Sequence, residues 1–174
     1  YWIVEYPDGS KGYFGADSQG VRVDTARALN QDDEAFRYHL TERIDPYGNR
    51  VQYSYENFGQ NKPLLSEVRW AFTNGTPLYR AELEYEARPD VLSDAGGGFE
   101  EVIAYRVAAI RIFTEGELIR EYALGYQDAA ISGGVSRLGR VTEYGLGGQA
   151  AGVKNPIEFS FDYQRALGVD CQGP

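Results

Sequence analysis

The stretch Tyr38–Tyr55, Y-H-L-T-E-R-I-D-P-Y-G-N-R-V-Q-Y-S-Y, decides how the rest of the chain is read. Tyr38, Leu40 and Ile44 fall on one parity, with Glu42 as the exception, and His39, Thr41 and Arg43 on the other. After the break, Val51, Tyr53 and Tyr55 alternate with Arg50, Gln52, Ser54 and Glu56. A period of two marks strands with one buried and one wet face. Between the runs stand Asp45, Pro46, Tyr47, Gly48 and Asn49. Pro46 presets φ for a turn, and Gly48 and Asn49 tolerate positive φ, so the chain reverses here. The expectation is a β-hairpin with aromatics on its core face.

Working outward, residues 1–15 read as a short hairpin: Trp2, Val4 and Tyr6 share a face, and the chain turns at Asp8-Gly9. Residues 16–35 are polar and aperiodic, which predicts a loop with a helical turn around Thr25–Leu29. Leu64–Thr73 carries Val68, Trp70 and Phe72 on one face, turns at Asn74-Gly75, and is answered by Tyr79, Ala81, Leu83 and Tyr85. Arg88-Pro89-Asp90 is expected to close that strand. Val102–Thr114 is apolar on both faces in places, as in an inner strand covered on two sides. A helix is its rival reading, disfavoured by the turn at Glu115-Gly116-Glu117 and the alternating Leu118, Tyr122, Leu124 and Tyr126 that follow. Ser136–Tyr144 and Ile157–Tyr163 form the last pair, joined by the glycine loop Gly145–Gly152.

The strand pairs end on Tyr53/Tyr55, Leu83/Tyr85, Leu124/Tyr126 and Phe161/Tyr163, with 30, 41 and 37 residues between closing tyrosines. The predicted core comprises Tyr53, Tyr55, Trp70, Leu83, Tyr85, Leu124, Tyr126, Phe159 and Phe161. Units that cannot bury an aromatic face alone gain a core by stacking. An ordinary sandwich or barrel of meanders produces hairpins at similar spacing, so both architectures stay open on pattern alone.

Composition narrows the class. The 174 residues suit one domain that buries roughly 70% of its unfolded surface. Fourteen Tyr and 21 Gly fit aromatic strands and glycine turns. There is no Met, and the chain opens directly on the strand-like Tyr1-Trp2-Ile3-Val4, so it is expected to be a piece of a longer protein. Residues 1–163 are read as one β domain and 164–174 as a tail or linker. A net charge of −9 with only Lys11, Lys62 and Lys154 as lysines argues against a nucleic-acid surface. No apolar run approaches the ~20 residues of a membrane span, and no signal peptide is visible. Cys171 stands alone, which excludes an internal disulfide framework and a cysteine metal site.

The opening Trp2–Gly15 (W-I-V-E-Y-P-D-G-S-K-G-Y-F-G) and the centre Leu40–Tyr55 resemble the tyrosine-rich YD/Rhs repeat class. Leu83–Asp90, Gly97–Phe113, Arg120–Tyr126, Ser136–Gly145 and Pro156–Tyr163 follow in an order similar to the N-terminal region of SpvB-type virulence proteins and of the B component of insecticidal Tc toxins. The resemblance spans Trp2 to Tyr163. It implies an all-β fold of stacked antiparallel hairpins forming part of a curved shell that encloses or presents a toxic polypeptide. It implies as partners the remaining shell, a following propeller and a toxin-complex subunit, in a secreted parent that is cytoplasmic before export. It implies no cofactor. With too few strands to close a shell, the segment is expected to expose a strand edge and to self-associate there.

Candidate chemistry is sparse, and no catalytic residue is assigned. SpvB-type proteins carry an ADP-ribosyltransferase with a Glu-x-Glu pair. This chain has Glu84-Tyr85-Glu86 and Glu115-Gly116-Glu117 without the accompanying Arg and Ser-Thr-Ser motifs. Asp45-Pro46-x-Gly48 is similar to the Asp-Pro-x-Gly of Rhs self-cleavage sites, although turn geometry accounts for each of its residues. His39, the sole histidine, is expected on the surface. The runs Gln31–Glu34 and Asp90–Asp94 offer oxygens for calcium but match no known loop spacing, and solvated acidic loops are expected. Gly145–Gly152 precedes a Pro and a strand instead of a helix, unlike a dinucleotide fingerprint. A carbohydrate- or protein-binding module using surface aromatics such as Trp2 or Tyr47 is the competing function.

Overall fold

Strand order follows chain order with a single detour. The computed structural model describes residues 1–30, 32–59, 61–96, 98–127, 134–151 and 157–161. The strands are β1 (Trp2–Glu5), β2 (Lys11–Phe14), β3 (Arg27–Leu29), β4 (Ala35–Tyr38), β5 (Leu40–Ile44), β6 (Arg50–Glu56), β7 (Leu64–Thr73), β8 (Thr76–Asp94), β9 (Glu101–Thr114), β10 (Glu117–Gln127), β11 (Arg137–Tyr144) and β12 (Ile157–Ser160). Ten of them form one antiparallel sheet in the order β1-β2-β5-β6-β7-β8-β9-β10-β11-β12, and β3 pairs with β4 alone. Helical structure among the described residues amounts to two 3-10 turns, Asp24–Ala26 and Gln149–Ala151. The all-β reading holds, and the rival helix across Val102–Phe113 is a strand. Tyr163, Cys171, Gln31, Gly97, Gly152, Pro156 and the tail 164–174 lie outside the described residues.

Several expectations need correction. Residues 16–35 do not form a plain loop: after the 3-10 turn the chain builds the β3–β4 hairpin, and Gly15 (φ 75°) leads into this detour. A Cβ at Gly15 would collide with the Tyr38 ring. Arg88-Pro89-Asp90 does not end its strand. The register with β9 lapses between Ala87 and Leu92, and Pro89, which has no N–H to give, sits inside that lapse.

The central hairpin also differs. Its five-residue turn sets the pairs Glu42–Gln52, Arg43–Val51 and Ile44–Arg50. Directly opposed residues project to one side, so the apolar rows of β5 and β6 fall on opposite faces of the sheet. Loop length fixes register, and a shift by one residue exchanges faces. Of the turn residues, Gly48 uses positive φ (86°), whereas Asn49 does not. Asn49 instead donates its N–H and its side-chain amide to Asp45, each at 2.8 Å.

Beyond β6 the apolar row is continuous. Val68 opposes Ala81 and Trp70 opposes Tyr79; Leu83 opposes Ile110, Ile110 opposes Tyr122, Leu124 opposes Val141, and Val141 opposes Phe159. The other face carries the row Glu67, Glu82, Arg111 and Glu121. The predicted aromatic core is partly enclosed, and it fails at Phe159 and Phe161. Tyr53, Tyr55, Trp70, Tyr85 and Tyr126 are half-buried, while Phe159 and Phe161 are 52% and 40% exposed. Among the described residues, the buried hydrophobic side chains besides Pro63 are alanines: Ala16, Ala26, Ala28 and Ala109. A side chain on a sheet is fully enclosed only by a second layer about 10 Å away. Among the described residues no second sheet supplies that layer; only His39 on Tyr55 and Phe58 on Tyr85 and Tyr105 pack over the tyrosine end of the apolar face.

Candidate functional site

The recurring tyrosines have a common role. Tyr55 donates its hydroxyl to the Leu40 carbonyl at 2.7 Å, Tyr85 to Leu65 at 2.8 Å, and Tyr126 to Val107 at 2.6 Å. In each case the acceptor lies on the preceding strand, just past the last backbone pair of that hairpin (Glu42–Gln52, Glu67–Glu82 and Ala109–Ala123). A carbonyl left unpaired needs a donor, and a phenol reaches across the opened gap where phenylalanine could not. Each of these tyrosines also follows a bulge against the next strand: the register shifts at Ser54/Tyr55, Glu84/Tyr85 and Gly125/Tyr126. The extra residue is Ser66, Ala108 or Gly139, small every time. Phe14 occupies the same place in β2, with Thr41 as the extra residue, but lacks the hydroxyl. The partners interlock, because Leu40 pairs with Phe14, Leu65 with Tyr55 and Val107 with Tyr85. One lateral row therefore crosses the sheet. Burial pushes the Tyr55 and Tyr85 phenols up to about 12, which keeps them neutral donors.

Four acids hold the connections down. Glu42 is buried, accepting the Ser18 N–H at 2.8 Å and a Gln52 side-chain N–H at 3.3 Å, which fastens the detour to the polar face. Glu121 is buried likewise. It accepts the Gln149 N–H at 2.7 Å and pairs with Arg111 at 3.3 Å. Glu101 pairs with Arg37 at 3.3 Å. Asp90 accepts the Ser136 N–H at 2.6 Å and its hydroxyl at 2.8 Å, and Arg88 stands 3.0 Å away. Since β8 and β11 are not neighbours in the sheet, this contact clasps the curl across β9 and β10. The adjacent Arg88, with the Ser136 donors, holds the Asp90 carboxyl far below the ordinary carboxylate range. Glu42 and Glu121 thus hold loops on the polar face, whereas His39 on Tyr55 and Phe58 on Tyr85 and Tyr105 reach the tyrosine end of the apolar face.

None of the sequence candidates converges with another. Glu84 pairs with Arg111 and Glu86 with Arg106, each at 2.6 Å, on neighbouring strands. Glu115 and Glu117 flank the β9–β10 turn. Asp45, Pro46, Gly48 and Asn49 form the turn described above, and hydrogen bonds led by the Asn49 side chain lower the Asp45 carboxyl. His39 is not a surface residue: its ring is half-buried against Tyr55, centroids 5.2 Å apart, because the detour rejoins the sheet there. Asp90 is spent on Ser136, and Asn30 turns the Asp32–Glu34 run onto its own side chain. Among the described residues, no three His, Cys, Asp or Glu side chains gather as a metal site. Glu101, Glu121 and the Asp90–Ser136 clasp were missed from the sequence. The available signal was an acid beside or within an apolar run, which had marked Glu42. On the apolar face, Trp70 and Tyr79 stack at 5.7 Å beside Ile112, Ile119 and Arg120, lining a shallow depression of about 410 Å³.

This antiparallel sheet has a fold similar to solved SpvB and Tc toxin structures. The N-terminal domain of effector protein SpvB from Salmonella typhimurium strain LT2 matches with a TM-score of 0.67 at 19% identity, over 83% of this chain and 60% of that one. The TcdB2-TccC3 crystal structure matches at 0.67 and 16% identity, over 82% of this chain and 10% of that one. The Photorhabdus luminescens Tc holotoxin pore gives 0.65 at 16% identity, with 82% and 9% covered. By sequence, the double-stranded DNA deaminase toxin A of Burkholderia cenocepacia strain H111 is 35% identical over 91 residues, which are 50% of this chain and 6% of that protein. No family model matches the chain. This chain spans a small fraction of the deaminase toxin and of the Tc chains.

Proposed function

We propose that this chain is a non-catalytic wall segment of a secreted bacterial toxin, part of an Rhs-like β-shell that encloses or presents a toxic polypeptide. The observation that carries the reading is the inverted covering of the sheet. Loops are stapled by Glu42 and Glu121 onto the polar face, while Trp70, Tyr79, Leu83, Tyr122, Leu124 and Phe159 stand on a face over which no second sheet lies among the described residues. A free-standing domain would bury that face, since contiguous apolar patches on soluble monomers are small. Among the described residues, the outer strands β1 and β12 have a partner on one side only, and exposed Trp2, Ile3 and Phe159 line them. The remaining shell, a propeller and a toxin-complex subunit are the partners that fit such edges. The match to the Burkholderia double-stranded DNA deaminase toxin covers 6% of that much longer protein.

The stacked Trp70–Tyr79 pair supports a second reading, a platform for a sugar ring or an apolar peptide. One set of measurements separates the readings. The purified chain should associate with rising concentration in static light scattering and consume no NAD. It should bind no immobilised glycan. NAD turnover abolished by Glu84→Gln and Glu86→Gln would overturn the wall reading; saturable glycan binding lost in Trp70→Ala would favour the second.

A further inference from the structure

The detour that leaves the sheet after β2 pivots on His39 as it returns. The His39 N–H donates to the Ala26 carbonyl at 2.8 Å, and its carbonyl accepts the Gly15 N–H at 2.9 Å. Its Nε2 is buried without a hydrogen-bond partner. Tyr55 of β6 packs on this ring with centroids 5.2 Å apart, and the β4–β5 junction, the β6–β7 connection and the start of β9 bring charges toward it. Phe36 packs edge-on against Phe99 at 4.9 Å. Asn61 donates to the Glu100 carbonyl at 2.7 Å. The charged groups that the imidazole faces are Arg37 on β4, Glu101 on β9 and Lys62 in the connection. The one carboxylate among them is buried and already paired with Arg37.

We propose that His39 is a proton-operated latch: its neutral ring keeps the β3–β4 hairpin docked against the main sheet, and protonation lets the hairpin swing free and uncovers Glu101. A proton added to this ring places a third cation beside Arg37 and Lys62, in a site where water cannot solvate it fully. Glu101 opposes this, but it is shared with Arg37. Burial first, then Arg37, hold the imidazole below its ordinary value of about 6.5. For a base lowered by folding, the contribution to stability is intact above the unfolded value and is lost as the pH falls below it. The latch therefore opens on acidification from about pH 6.5 downward.

Amide hydrogen exchange of the 174-residue chain between pH 7.5 and 5.5, corrected for intrinsic rates, tests this. Protection across residues 24–41 should fall at least about threefold relative to β7–β10, and His39→Gln should hold it constant. Protection that stays flat in the wild type, or that falls equally in His39→Gln, overturns the latch. Should the variant fail to fold, the imidazole titration followed by NMR in the wild type decides. A value below 6.5 with hairpin shifts tracking the same titration supports the latch, and a value at or above 6.5 refutes it.

Discussion

Replacing Tyr85 by Phe removes one oxygen and nothing else, which makes it the cleanest probe of the lateral row. The hydroxyl lies 2.8 Å from the Leu65 carbonyl, beyond the last β7–β8 backbone pair, so no other strand donor stands ready to replace it. A net hydrogen bond of this kind contributes about 1 kcal/mol. For a chain of this size, that lowers Tm by about 3 °C and shifts the urea midpoint without changing the slope. Tyr85→Ala should cost more, about 2 kcal/mol, but less than the ~3–5 of a fully buried aromatic, because Tyr85 is not fully buried. A second readout is independent of stability. The phenol is raised to about 12, so its contribution is present below the unfolded value near 10 and lost as pH rises through the folded one. Absorbance titration should show late-ionising tyrosines in the wild type, and one fewer in Tyr85→Phe. If Tyr85→Phe melts with the wild type and leaves the titration unchanged, the hydroxyl row does not hold the hairpin bases together.

Three further substitutions probe the connections. Gly148 has φ 63°, and a Cβ there would strike the Glu121 carboxylate and Leu118, so Gly148→Ala should destabilise by about 1–3 kcal/mol in thermal melts. Gly145→Ala, in open space on the same loop, should melt within error of the wild type. Asp90→Asn should flatten the acid limb of the stability curve. The depressed Asp90 carboxyl contributes stability above its unfolded value near 3.9 and loses it as pH falls through its lower folded value. Melting between pH 5 and 2 that is superimposable for variant and wild type would show that the clasp carries none of that dependence.

Alternation, turn residues and the spacing of closing tyrosines determined on their own that this is an antiparallel β protein, and they placed most hairpins close to their observed ends. Those features are local: side-chain period and turn stereochemistry act over a few residues. Which face is buried is not local. The five-residue turn Asp45–Asn49 puts Ile44 opposite Arg50 and sends two apolar rows to opposite sides, a result that depends on register. Pro89 reads as a stop, and only the distant Ser136 shows why the strand carries on past it. The tyrosines were legible as a repeat, but their purpose was not, because the carbonyls they serve become unpaired only when hairpin arms separate in the assembled sheet. The expected aromatic core needed a second layer that the pattern implied and the described residues do not contain. Tertiary structure therefore decided that, among the described residues, no second sheet covers the apolar face, while buried Glu42 and Glu121 draw loops to the other side.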